Sequence, residues 1–255
     1  MGLAWLGALV IGLTLGLLGS GGSILTVPVL VYLVGQPEKV AIAGSLAIVG
    51  GVALVAAMPR VMQRQIDWRS VVWFGLPGMV GTLIGAMASR DVPGVVQLFV
   101  FALVMLAAAW MMARPLPRRR GDGAPRARRW IVLDGLGVGL LTGIVGIGGG
   151  FLILPALVVL GGLAMHRAVG TSLVIIALNA FSGFAKHASL LGAAGLVLDW
   201  RLIGLFTAVG AGGSLAGAHL AERLPQQRLK GIFALFLVLM GLLIVLRTAP
   251  QIWSS

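Results

Sequence analysis

Two short glycine and proline patterns carry the strongest chemical signal in this sequence. They are Gly19-Ser20-Gly21-Gly22 followed by Pro28, and Gly146-Ile147-Gly148-Gly149 followed by Pro155. Glycines let a chain leave a helix and let backbone approach a ligand closely. A helix that restarts after such a break offers unpaired N–H groups and a partial positive charge, which together favour an anion. Residues 20–23 and 147–150 are therefore candidate anion-binding backbone, with Ser20, Gly21, Gly22, Ser23, Gly148, Gly149 and Gly150 in contact with the ion. Small polar side chains downstream could add donors: Ser45, Thr171, Ser172 and Asn179. Asn179 follows Ser172 by two helical turns and shares nearly the same face. The structural use for such residues is hydrogen bonding between membrane helices. A dinucleotide loop is excluded, because no strand or soluble unit surrounds either glycine run.

The elements that must position these breaks are apolar. Segments run over 3–18, 24–34, 40–58, 69–89 and 94–113, and again over 131–145, 151–160, 168–185, 202–221 and 231–246. About 20 helical residues are needed to cross a bilayer, so the first two segments of each half are too short. The halves repeat. Gly16, Gly19, Gly21, Gly22, Leu25 and Pro28 meet Gly143, Gly146, Gly148, Gly149, Leu152 and Pro155 at a spacing of 127 residues. Five residues then enter the second half, and Asp67-Trp68-Arg69 meets Asp199-Trp200-Arg201 at a spacing of 132. Paired, glycine-interrupted short segments in matching positions of two halves are the sequence sign of a transporter's midplane site. The informative glycines are read as those of the breaks, not as packing filler. A bulky residue at Gly22 or Gly149 should then abolish transport and leave membrane insertion intact.

Composition sets the class. Of 255 residues, 59% are hydrophobic and 10% charged, far from the balance of a soluble domain. No cysteine is present, which removes disulfides and thiolate chemistry. The expected fold is an all-α polytopic membrane protein of two inverted-topology repeats, each a short-helix hairpin or broken helix pair plus three transmembrane helices. Residues 1–113 form the first repeat, 114–130 a basic linker, and 131–255 the second repeat. The net charge of +12 is concentrated in that linker, at Arg114, Arg118, Arg119, Arg120, Arg126, Arg128 and Arg129. Basic loops mark the cytoplasmic face, which places both termini outside; an anionic-lipid contact is the other reading of the linker. Nucleic acid is not an expected partner. Residues 3–18 lack a signal peptide's basic start and recur internally at 131–145, so they belong to the fold. Asp67 and Asp199 read as helix N-caps, and most of the seven tryptophans as interface anchors.

With its ordered Gly, Pro, Gly170-Thr171-Ser172-Leu173 and Asp-Trp-Arg motifs, the whole chain resembles the sulfite exporter TauE/SafE family. The resemblance implies a bacterial-type inner-membrane exporter of sulfite, sulfoacetate or related organosulfonates, without a cofactor. The first copy departs from the pattern, with Ala43-Gly44-Ser45 opposite Gly170-Thr171-Ser172. A homodimer is compatible with this reading. Access would alternate as one repeat moves against the other, and the same scaffold could instead be a passive anion channel. Lys186 and His187 have no charged counterpart in the first half and read as snorkelling residues, or else as a cationic vestibule or gate. A membrane-embedded enzyme is disfavoured, since aspartates and histidines lie near segment ends and none shows metal-ligand spacing. No acidic residue lies deep in a segment to relay protons, which favours uniport or anion exchange.

Overall fold

A computed structural model describes residues 2–90, 92–113, 128–145, 150–193 and 195–253. Among them, helices follow in two series of five. The first is α1 (Gly2–Leu18), α2 (Gly21–Pro28, continued at Val29–Leu33), α3 (Glu38–Met62), α4 (Trp68–Ala88) and α5 (Gly94–Ala113). The second is α6 (Arg128–Val145), α7 (Gly150–Pro155, continued at Ala156–Leu160), α8 (Met165–Ala193), α9 (Trp200–Glu222) and α10 (Gln226–Trp253). Six of these (α3, α4, α5, α8, α9 and α10) are long and apolar enough to cross a membrane. Their outer faces are greasy: Leu235, Leu239, Leu242 and Leu246 line one exposed stripe of α10, a surface suited to lipid and not to water. Trp5, Trp68, Trp110, Trp130 and Trp200 are likewise exposed at or near helix ends. The chain is an all-α, multi-pass membrane protein.

Proline shapes the short helices. It lacks an N–H, and its ring crowds the carbonyl four residues back. After Pro28 the chain widens to i→i+5 bonding, with the Val34 N–H donating to the Val29 carbonyl at 3.1 Å. After Pro155 the Gly161 N–H donates to the Ala156 carbonyl at 2.9 Å in the same way. A third wide turn, Val71–Gly75 in α4, precedes Pro77. Its counterpart α9 has Val209 at that point and remains regular throughout.

Each short pair is a hairpin. A Cβ on Gly7, near the start of α1, would lie 2.9 Å from Val29 in the continuation of α2. In the second half, Ile131 and Asp134 near the start of α6 line one cavity with Leu160, Gly161 and Leu163 at the exit of α7. Both hairpins therefore return to the end from which they entered.

Neither hairpin packs mainly within its own series. α1 lies along α9, with Gly12 against Gly210 and Gly16 against Ser214; α6 lies along α4, with Gly135, Gly139 and Gly143 against Phe74, Gly78 and Thr82. Both crossings are parallel and occur at four-residue intervals, as small residues allow backbones to touch. Equivalent helices α3 and α8 cross antiparallel: Leu46 sits against Gly183, Gly50 against Phe181, and Arg60 against Gly170. α5 pairs with its equivalent α10.

The capping residues behave as their sequence positions predict. Asp199 Oδ1 accepts from the Leu202 N–H at 3.0 Å, and Asp67 Oδ2 accepts from the Ser70 N–H at 3.2 Å. Asp199→Ala is expected to lower stability by about 1 kcal/mol, seen as a reduced thermal midpoint in detergent. Asp67→Ala should cost more, because the Ser70 hydroxyl also donates to that carboxylate at 2.5 Å.

Candidate functional site

The first break is a left-handed turn. Gly19 has φ +69°, and its N–H donates to the Leu15 carbonyl at 2.8 Å, closing α1. Ser20 then stands at the N-cap of α2 but makes no side-chain cap bond. Its hydroxyl is fully buried and has no hydrogen-bond partner. Serine at an N-cap ordinarily bonds the second or third helical N–H. Here a buried helix start is left without that partner.

The start of α7 meets the start of α2. A Cβ on Gly150, the first residue of α7, would fall 2.9 Å from Ser23 Oγ and 2.7 Å from Ile176 of α8. Ser23 itself donates to the Ser20 carbonyl at 2.6 Å, and Thr26 to the Gly22 carbonyl at 2.7 Å. Ser172 lies behind the first break, its hydroxyl shared between the carbonyls of Gly19 (3.1 Å) and Val169 (2.9 Å). The structure thus brings Ser20, Gly22, Ser23, Gly150 and Ser172 into one buried region, with Gly21 as the first residue of α2. Gly148 and Gly149 lie outside the described residues. Ser45 is buried and donates to the Ile42 carbonyl at 2.7 Å.

Thr171 points elsewhere. Its Oγ1 accepts from the Asp67 N–H at 2.9 Å, pinning α8 to the connection before α4. Asn179 is fully buried on α8, beside Gly78 of α4. Lys186 is half-buried, whereas His187 is only 8% exposed and donates through Nε2 to the Gly143 carbonyl at 3.3 Å. His187 is therefore not a snorkelling side chain. α8 also continues six residues past it, to Ala193.

Arg60 was not legible as a buried group, because its sequence position reads as a loop charge. It is 1% exposed near the end of α3; Nη1 donates to Gln65 Oε1 at 2.7 Å and Nη2 to the Ala218 carbonyl at 3.2 Å. The signal was in the repeat. α3 and α8 begin in register at Glu38 and Met165, and the extra residues of the second half follow at the far end of α8 and in its loop. The 127-residue spacing thus holds along the helix and makes Arg60 the counterpart of His187. The basic group at 187 has a partner in the duplication after all. Among the described residues, no group of three His, Asp or Glu side chains could hold a metal ion.

A duplicated bundle of crossing helices with two glycine-broken hairpins at its centre defines a class of membrane protein. The particular family follows from comparison: residues 4–244 match the model of the sulfite exporter TauE/SafE family, and the chain belongs to it. A Xylella fastidiosa protein named "Probable membrane transporter protein" is 31% identical, over 96% of this chain and 93% of its own length. Bacillus subtilis "Probable membrane transporter protein YunE" is 26% identical over 91% and 93%, and a Haemophilus influenzae protein named "Probable membrane transporter protein" 27% over 91% and 92%. No solved structure matches the chain.

Proposed function

We propose that this protein is a membrane transporter, not an enzyme, and that it carries small anions of the sulfite and organosulfonate class across a bacterial-type inner membrane. The observation that carries the reading is the buried start of α2 without a side-chain cap, with the unpartnered Ser20 hydroxyl beside it and the start of α7 in contact. Backbone N–H groups at 20–22 and 147–150 hold the anion, with Ser45 and Ser172 at the wall; the Ser23 N–H is already engaged by the Ser20 carbonyl at 3.2 Å. Helix starts can do this without a buried lysine or arginine.

The antiparallel crossing of α3 with its equivalent α8 supports inverted repeats, since a two-fold axis relating antiparallel membrane helices lies in the membrane plane. With the Arg-rich linker cytoplasmic, α2 returns to the outer face and α7 to the inner one. The glycine crossings tie the hairpin of each repeat to the fourth helix of the other. The moving bodies are accordingly mixed, α1–α2 with α9 and α6–α7 with α4, and not one repeat against the other. Flux through these bodies is uniport or exchange.

Purified protein in liposomes should take up sulfite or a small sulfonate in a saturable manner, faster with anion on the opposite side. Unsaturable flux without counter-transport would make it a channel. No movement of any small anion under any gradient would end the reading.

A further inference from the structure

Among the described residues, the buried side-chain atoms without a hydrogen-bond partner include Ser20 Oγ and both Nδ2 and Oδ1 of Asn179. Both residues are fully buried. Leaving such groups unpaired is costly, and each one calls for a ligand, a water or another explanation. Asn179 is the more telling, because its amide is a donor and an acceptor held side by side.

Its place on α8 connects it to the breaks. Ser172 touches the first break and Ile176 touches Gly150 at the start of α7. Asn179 continues that same helical face, three residues beyond Ile176. The amide lies against Gly78, where a Cβ would stand 3.0 Å from Nδ2 and 3.3 Å from Oδ1. Glycine leaves the amide its room. In the first repeat the position 127 residues earlier is Val52, so the polar group exists on one side of the duplication only.

We infer that Asn179 selects an oxyanion that carries its own hydrogen-bond donor, a singly charged ion with a protonated or hydroxyl-bearing oxygen. This deepens the anion-carrier reading above and rests on it. Nδ2 donates to a charged oxygen while Oδ1 accepts from the neighbouring O–H, and both atoms are satisfied at once. A fully deprotonated dianion serves only Nδ2 and sets its negative charge against Oδ1. A site built to pair with a hydroxyl rejects an analogue lacking it, because its own buried group is then left unpaired.

The test uses three anions at one neutral pH: hydroxymethanesulfonate, methanesulfonate and sulfate. Binding to detergent-purified protein is read from the rise in its thermal midpoint with concentration. Wild type should bind hydroxymethanesulfonate about tenfold more tightly than methanesulfonate, with sulfate weakest. Asn179→Val, which installs the residue of the other repeat, should bring the two sulfonates to near-equal affinity, and its binding of methanesulfonate reports that it is folded. If that variant does not fold, the wild-type comparison decides alone. Equal wild-type binding of the two sulfonates, or an unchanged preference in Asn179→Val, overturns the selectivity while anion transport stands. Failure of all three to bind, together with no anion flux in liposomes, removes both readings.

Discussion

Replacing Gly139 by leucine will leave little assembled protein, whereas Gly137→Ala, two residues away on the same helix, will be tolerated or stabilising. Gly139 faces the backbone of Gly78 so closely that any Cβ would overlap that residue's carbonyl oxygen. No side-chain rotation relieves a backbone clash, so α4 and α6 must separate along the Gly135–Gly139–Gly143 seam. Overpacking costs about 1–3 kcal/mol where neighbours can yield, and more where they cannot. Gly137 is exposed and has nothing within 4 Å of its Cβ position. Alanine there gains helix propensity of up to about 1 kcal/mol. Monodispersity after detergent extraction and the thermal midpoint read both outcomes. Equal behaviour of the two variants would mean that α4 and α6 do not cross at these glycines.

A second pair of substitutions separates strain from function. Gly19 and Gly35 have nearly the same backbone, φ +69° and +79°. Alanine at either must adopt a left-handed conformation, at a cost of roughly 1–2 kcal/mol. At Gly35 that is the whole effect, because its Cβ position is empty. At Gly19 the new methyl also stands 2.8 Å from Val169 Cγ1 and 3.1 Å from Ser172 Oγ. The first break must then shift against α8, carrying Ser20 and the start of α2 with it. Gly19→Ala should lose nearly all anion flux in liposomes while Gly35→Ala retains it, with both equally depressed in thermal midpoint apart from the added contact. Full flux in Gly19→Ala would show that the turn is only structural.

Much of this was legible in the residues. The first break, the truncated segments, the N-capping aspartates and the tryptophans exposed near helix ends are local or periodic features, and sequence displays those directly. Packing partners are not local. Nothing in Gly12 or Gly139 announces which distant backbone will lie against it, so reading the important glycines as confined to the breaks missed the α1–α9 and α4–α6 seams. Gly22 shows the consequence. A Cβ there would overlap the Ile11 carbonyl oxygen and stand 2.6 Å from Leu15 Cβ, so a bulky residue pries α1 from α2 before it tests any anion. The burial of His187 and Arg60 was equally hidden, because each lies near a helix end where a charge is normally wetted. Neighbouring helices help to cover them, α6 at His187 and α9 at Arg60.

The exchange of hairpins between the two series has an ancestral and a biosynthetic consequence. A protein one repeat long could make these glycine seams only by lending its hairpin to a second copy, as a two-fold, domain-swapped dimer. Fusion of two such copies turns a contact between chains into one within a chain. It also delays it: α1, made first, has no seam to enter until α9 emerges nearly two hundred residues later. The glycine seam of the first hairpin must wait in the bilayer without its partner, and a chain severed in the 114–127 stretch should regain its structure only when both pieces are made together.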